Sequence, residues 1–272
     1  MGGGAGSAAR ASATDSATPV ANINVRAERC TPEGYQTPAG RGRAHPARGC
    51  YRAGSPLIAR GLYALVCLDA VARAALDAEE AAEAVLRGGA RTIQLRGKSA
   101  GSGELVSLGR RLAARCRRYG AAFVVNDRAD VAALVGADAV HVGRGDLRPS
   151  EVRAVAPGLR VGVSTHDLGE LEAALAERPD YVAFGPVFPT ASKRDPDPVV
   201  GLEALARARD LAARAGVALV AIGGVDLARA PEVAARATAG AVIGALYAER
   251  APACVERRAR ALHAALGGAT AP

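Results

Sequence analysis

The feature that most constrains this chain is an alternation of short apolar runs with Ala-, Arg- and Glu-rich stretches of helical period, which begins near residue 61. Short apolar runs between turn residues are typical of strands buried on both faces, and the stretches between them are typical of amphipathic helices. The alternation therefore predicts an α/β fold with a parallel sheet. The predicted strands are 62–66, 92–96, 123–127, 139–142, 160–164, 181–187, 218–223 and 241–245.

The number of these units favours one closed barrel. Eight strand-then-helix units in about 210 residues match the count and size of a (β/α)8 TIM barrel, with an open doubly wound sheet as the alternative. Glycines stand where left-handed helix caps are needed, at Gly88, Gly89 and Gly120. Half of the chain is apolar but only 3% is aromatic, so the core is built mainly from Ala, Val, Leu and Ile. We predict a single barrel domain over 59–268.

Residues 1–58 differ from the rest of the chain in composition. They are rich in Gly, Ala, Ser, Pro and Arg without a sustained apolar period, which predicts a disordered extension. A transit peptide, or a translated leader of biased composition, is the alternative. Residues 1–60 hold eight arginines and three acidic residues, so most of the net charge of +8 lies there. The barrel region is nearly neutral, which argues against nucleic acid as its partner.

Other features exclude further classes of protein. No apolar run is long enough to span a membrane, and the secretory pattern is absent from the N-terminus, so we predict a cytoplasmic protein without a membrane partner. The five cysteines are scattered and lack the spacing of metal ligands, which excludes a disulfide framework and a zinc site. A homodimer is left open.

Rare polar residues occur where strands are predicted to end. Beyond residue 60 the chain has one glutamine, one asparagine and two lysines, which are Gln94, Asn126, Lys98 and Lys193. In a barrel of this kind the reactive groups lie at the carboxyl ends of the strands. Together with Arg96, the two lysines would form a group of three cations on one rim, which suits a substrate with several negative charges, such as a diphosphate.

Two carboxylates fall on the same rim, where they would repel such a substrate. The conflict disappears if Asp127 and Asp146 hold Mg²⁺, which favours one or two carboxylates together with phosphate oxygens and water. Neutral hydrogen bonds can come from Asn126, Ser164, Thr190 and Ser192. The glycine pair after the seventh strand, Gly223 and Gly224, lets backbone N–H groups approach a second phosphate.

Five segments of the chain resemble the thiamine-phosphate synthase family, in order and at compatible spacing over about residues 61–266. They are QLRGK, VVNDRADVAALVGADAVHVGRGDL, VGVSTH, FGPVFPTASK and VAIGGV. The resemblance implies a transferase that condenses 4-amino-2-methyl-5-(diphosphooxymethyl)pyrimidine with a thiazole phosphate, giving thiamine phosphate and pyrophosphate.

The resemblance also implies roles for individual residues. Asp127 and Asp146 would bind magnesium, and Arg96, Lys98 and Lys193 would be catalytic by stabilising the departing pyrophosphate. The residues implied for the pyrimidine diphosphate are Gln94, Leu95, Arg96, Gly97, Lys98, Asn126, Ser164 and Lys193. Those implied for the thiazole phosphate are Thr190, Ala191, Ser192, Gly224, Ile243 and Gly244.

The chain departs from the family pattern at three places. Arg144 and Gly145 replace a Gln-Glu pair before Asp146, which changes the charge beside the metal. Gly97 stands at a variable position. Gly244 replaces a serine whose hydroxyl would contact the thiazole phosphate.

Two other functions stay open at this point. A thiazole tautomerase of the same barrel superfamily would need only the phosphate end of the site and a proton carrier such as His166. A barrel without catalytic activity, with a basic N-terminal arm that binds a partner, is the second alternative. The joint presence of QLRGK, Asp127, Asp146 and Lys193 argues against both.

Overall fold

The computed structural model describes residues 1–3, 56–190 and 197–269 of the chain. Eight parallel strands pair in sequence order, and the last strand pairs with the first, so the sheet closes into a barrel. The predicted TIM-barrel fold is confirmed. The strands are β1 (Gly61–Cys67), β2 (Thr92–Arg96), β3 (Ala122–Asn126), β4 (Ala139–Val142), β5 (Arg160–Thr165), β6 (Tyr181–Phe184), β7 (Ala218–Ile222) and β8 (Ala239–Val242).

Helices of unequal length surround the barrel. Asp77 caps the second one by accepting hydrogen bonds from two backbone N–H groups, and Gly120 ends the third in the left-handed conformation. Among the described residues, no helix has the length and apolarity that crossing a membrane requires. The helices are α1 (Leu68–Arg73), α2 (Ala78–Arg87), α3 (Ser102–Tyr119), α4 (Ala129–Val135), α5 (Pro149–Val155), α6 (Leu168–Ala176), α7 (Gly201–Arg214), α8 (Ala230–Ala234) and α9 (Pro252–Ala265).

Alternate residues of each strand supply two separate cores. Residues that point outwards, such as Leu62, Ile93 and Phe123, pack against the helices in the larger core. Residues that point inwards fill the barrel, and Tyr63 and Tyr181 are the largest of them. Gly162 makes room for this filling, because a Cβ there would lie 2.0 Å from the Tyr181 ring.

The barrel interior also receives two residues from before β1. Leu57 and Ile58 are 7% and 2% exposed, and they belong to the same inner core as Tyr63 and Val124. The barrel therefore includes residues that the sequence interpretation assigned to the extension of 1–58. The rest of that segment, apart from residues 1–3 and Pro56, lies outside the described residues.

Two of the predicted strands differ from the structure by more than one residue at an end. β6 ends at Phe184 instead of residue 187, and β8 spans Ala239–Val242 instead of 241–245. Asp127 lies just beyond β3 and has a φ of +63°, so it has left the extended conformation of the strand. The loops that line the cavity begin at the carboxyl ends of the strands.

Candidate active site

A cavity of about 810 Å³ lies within the barrel and at the carboxyl ends of its strands. The loops after β2, β3, β4 and β5 supply most of its charged residues, and we call this part of the rim the charged half. The loops after β6, β7 and β8 form the glycine half. The predicted site residues that line the cavity are Gln94, Arg96, Lys98, Asn126, Asp127, Asp146, Ser164, Thr190, Gly224, Ile243 and Gly244.

The other predicted residues have different positions. Leu95 points outwards and is 1% exposed in the core between strands and helices, so its side chain does not line the cavity. Gly97 faces Leu68 and Leu105 instead. Ala191, Ser192 and Lys193 lie outside the described residues.

Asp127 and Asp146 bring two carboxyl groups together on the charged half. Burial of Asp127 raises its pKa above the usual range, and the hydrogen-bonding contact with Asp146 raises it further. Lys98 opposes both effects, with its Nζ 3.2 Å from Oδ2 of Asp127. The Oδ2 atom of Asp146 accepts a hydrogen bond from the backbone N–H of Gly143 at 2.8 Å. The pair is thus short of positive charge, which a bound cation would supply.

A chain of hydrogen bonds crosses the cavity floor, and we call it the floor chain. Nε2 of Gln94 donates to the Tyr63 hydroxyl at 2.7 Å, and the Tyr63 and Tyr181 hydroxyls are 2.8 Å apart. The Tyr181 hydroxyl lies 2.9 Å from Nδ1 of His141, whose Nε2 lies 2.8 Å from Oγ of Ser164. The chain therefore joins two predicted pyrimidine-binding residues, Gln94 and Ser164, through three others.

The protonation state of His141 gives this chain a direction. Burial lowers the pKa of His141 to about 4, against a smaller opposing effect of Asp146, so the ring is neutral near pH 7. With Gln94 as the first donor, each tyrosine hydroxyl donates to the next group and Nδ1 accepts. Nε2–H then donates to Ser164, and the Ser164 hydroxyl is left to donate into the cavity.

Arg144, one of the departures from the family pattern, is held by acidic groups on the rim. It forms ion pairs with Glu170 and, at 3.7 Å, with Asp197. His166 lies between the same two carboxylates, at 3.0 Å from Glu170 and 3.2 Å from Asp197. Burial alone would raise the pKa of Glu170, but hydrogen bonds from His166 and Arg144 hold it below the usual range. The charge of Arg144 is therefore largely compensated away from the carboxyl pair.

The glycine half presents the backbone of a glycine pair together with three charged side chains, Asp197, Asp226 and Arg229. Gly223 and Gly224 have φ values of +95° and +64°. A Cβ on Gly224 would lie 2.5 Å from the Pro189 carbonyl oxygen, so the chain packs too closely there for a side chain. This half suits a ligand whose oxygen atoms accept hydrogen bonds from backbone N–H groups.

Sequence reasoning missed several residues that line the cavity. Tyr63 and Tyr181 supply the centre of the floor chain, and Arg229 and Asp197 lie at the mouth. A polar aromatic residue at an inward strand position is the signal that could have identified the two tyrosines, since the chain has only six. No motif marks Arg229 or Asp197.

Comparisons with known proteins show which family the chain is similar to. Residues 62–246 match the family model described as thiamine monophosphate synthase. A thiamine-phosphate synthase of Methanocella arvoryzae is 40% identical over 185 residues, which cover 67% of this chain and 86% of the relative. That of Archaeoglobus fulgidus is 42% identical over 186 residues, which cover 68% and 84%.

A solved structure is similar as well. The thiamine phosphate pyrophosphorylase from Pyrococcus furiosus superposes with a TM-score of 0.68 at 31% identity, over 78% of this chain and 96% of that one.

Proposed function

The chain belongs to the thiamine monophosphate synthase family and is a transferase of thiamine biosynthesis, and from this premise we propose how its cavity carries out the reaction. The charged half binds 4-amino-2-methyl-5-(diphosphooxymethyl)pyrimidine, and the glycine half binds a thiazole phosphate. The observation that carries the proposal is that one cavity joins a half rich in cations and carboxylates to a half with two consecutive glycines at positive φ.

The bond changes follow from the chemistry of the two substrates. The carbon–oxygen bond between the pyrimidine methylene and the diphosphate breaks, and the electron pair leaves with pyrophosphate. The amino-substituted pyrimidine stabilises the positive charge left on the methylene, and the thiazole nitrogen then supplies the electron pair of the new carbon–nitrogen bond. No proton needs to be removed to form this bond, so the step requires no general base.

Asp127 and Asp146 are the residues we propose for Mg²⁺. Their mutual repulsion in a partly buried site favours a cation between them. Among the described residues, no group of three or more His, Cys, Asp or Glu could hold a metal ion. The remaining ligands would therefore be substrate oxygens and water, as Mg²⁺ prefers. A bound Mg²⁺ would neutralise charge on the departing pyrophosphate.

The cations of the charged half act on the same leaving group. Arg96 lines the cavity at the end of β2, and its Nη1 lies 3.5 Å from Sγ of Cys67. Lys98 lies beside Asp127 and is more than half exposed at the mouth. We assign both to the stabilisation of negative charge that develops on pyrophosphate, together with Lys193.

The floor chain positions the pyrimidine in this proposal. Gln94 and Ser164 offer polar atoms to the ring, and the buried tyrosines and His141 hold both in place. Asn126 lines the cavity at the end of β3. The tautomerase alternative is weakened by His166, because the two carboxylates occupy both of its ring nitrogens.

One assay tests the proposed function. The full chain is incubated with both substrates and Mg²⁺, and thiamine phosphate and pyrophosphate are followed by chromatography. We expect both products in equal amounts, and none when either substrate is omitted or EDTA is added. A folded protein that isomerises the thiazole but forms no thiamine phosphate would support the tautomerase instead.

The proposal also includes a cytoplasmic location and small-molecule substrates as the partners. It leaves the monomer and the homodimer open, and sedimentation of the full chain distinguishes them. Cell fractionation tests the location.

A further inference from the structure

Positive charge is distributed unevenly around the cavity. Among the described residues that line it, Arg96, Lys98 and Arg144 belong to the charged half. The lining residues of the glycine half include one described cation, Arg229, which lies in the loop between β7 and α8. A phosphate monoester on the glycine half carries up to two negative charges, and backbone N–H groups offer only partial charges to balance them.

Several contacts hold Arg229 in front of the glycine pair. Its Nη1 donates to the carbonyl oxygen of Gly224 at 2.9 Å, and its backbone N–H donates to Asp226 at 2.9 Å. The guanidinium carbon lies 4.9 Å from the centre of the Phe188 ring, in a cation–π contact. The side chain is thus oriented by groups from the loops after β6 and β7 while 40% of it stays exposed.

The guanidinium keeps donors for a ligand. Asp226 is the acidic residue beside it, but the closest atoms of the two side chains are 3.6 Å apart, which is longer than a hydrogen bond. Arg has five N–H groups, and the carbonyl of Gly224 takes one of them. A planar pair of N–H groups matches two phosphate oxygens, which a lysine cannot do in the same way.

From this arrangement we infer that Arg229 binds the phosphate group of the thiazole substrate, an inference that rests on the proposed function. The guanidinium supplies positive charge to balance the phosphate, and hydrogen bonds from the backbone amides of Gly223 and Gly224 orient the phosphate. Gly244 lacks a side-chain hydroxyl for the same phosphate, so the cation takes a larger share of the binding. Arg229 is a binding residue for one substrate and leaves the other untouched.

The experiment combines removal of Arg229 with removal of the phosphate. Wild type, Arg229→Ala and Arg229→Lys are assayed with the thiazole phosphate and with the corresponding thiazole alcohol. Arg236→Ala is the matched control, because Arg236 follows α8, does not line the cavity, and its side chain donates to the Glu232 carbonyl at 2.9 Å. Melting temperatures of all variants are recorded.

We expect Arg229→Ala to raise KM for the thiazole phosphate by about 10- to 100-fold, as loss of a charged hydrogen-bonding partner implies. The KM for the pyrimidine diphosphate and kcat/KM with the alcohol should stay within about twofold of wild type, and Arg229→Lys should lose less, because the charge remains. The Arg236→Ala control should behave as wild type.

Other outcomes separate this inference from the proposed function. Equal losses with the phosphate and the alcohol would mean that Arg229 only supports the loop, and an unchanged KM would mean that it does not touch the phosphate. Either result overturns the inference while wild type still forms thiamine phosphate. Failure of the wild type to form thiamine phosphate would instead contradict the proposed function.

Discussion

The two halves of the barrel rim differ in the part of the chain that they present to the cavity. The charged half uses side chains, with Lys98 3.2 Å from Asp127 and a second carboxyl group in contact. The glycine half uses backbone, with two consecutive residues at positive φ and a single described cation among its lining residues. One scaffold thus offers two ways to meet a phosphate-bearing substrate.

The difference predicts how each half responds to substitution. Charge on a side chain can be removed without moving the chain, so changes in the charged half should act on turnover while the fold is kept. Backbone N–H groups cannot be removed by substitution, so the glycine half can be changed only by displacing the chain or by adding a group. Substitutions there should act on KM for one substrate.

The largest effect is expected for Asp127→Asn, which removes a charge but keeps a residue type that tolerates the observed φ of +63°. We expect kcat to fall by about 100- to 1,000-fold, since charge stabilisation is lost at the leaving group. Melting should not fall, because repulsion from Asp146 is relieved. Asp130→Asn is the control, as Asp130 is exposed on α4 and pairs with Arg128. Unchanged turnover in the Asp127 variant would contradict the metal assignment.

The next effect is expected for Gly224→Ala, which strains the glycine half. A Cβ there meets the Pro189 carbonyl, and the positive φ costs about 1–2 kcal/mol for a residue with a side chain. We expect KM for the thiazole phosphate to rise about tenfold, with KM for the pyrimidine diphosphate unchanged. Gly120→Ala is a matched control, because Gly120 has a φ of +60° and open space around its Cβ. If both variants lose the same activity, the effect comes from stability alone.

A smaller effect, in the opposite direction, is expected for Gly244→Ser. The backbone of Gly244 is not in the left-handed region, so a serine there adds no backbone strain. Its hydroxyl should add a hydrogen bond to the thiazole phosphate and lower KM for that substrate about threefold to tenfold. Steady-state kinetics with each substrate varied in turn measure this. A shift in KM for the pyrimidine diphosphate instead would mean that the two substrates are placed the wrong way round.

The smallest effect on either half is expected from shortening the N-terminus. A chain that begins at Pro56 should keep both KM values and kcat, whereas one that begins at Arg60 loses Leu57 and Ile58 from the inner core. Burial of each such side chain contributes about 1.5–3 kcal/mol, so the shorter chain should unfold at lower denaturant concentration. Equal unfolding midpoints would show that the two residues add nothing to the barrel.

Much of the fold was predictable because a parallel barrel buries its strands on both faces. Each strand therefore reads as a nearly continuous apolar run, and all eight were found in the sequence. Leu57 and Ile58 were missed because two apolar residues are too few to show a period. Strand ends were less predictable, because contacts made by the following loop determine the residue at which each strand ends.

The site was predictable where a residue follows directly after a strand. Strand order alone places Arg96, Asn126 and Asp127 at one rim. Leu95 was placed there by its motif, although alternation along a strand directs it to the opposite face from Gln94. The contact between Tyr63 and Tyr181 depends on the stagger of β1 and β6 across the barrel, which no local pattern reports.

In evolutionary terms, the floor chain couples the substitutions that five positions of the sequence can accept. Tyr63, Tyr181 and His141 are each buried and bonded to two neighbours. Replacing one of them by an apolar residue strands its neighbours, at about 1–3 kcal/mol for each buried group left unbonded. A second replacement, of a neighbour that has already lost its hydrogen bond, costs less than the first, because it removes a polar group that was left unbonded. Drift at the floor should therefore be epistatic, so that these positions change as sets.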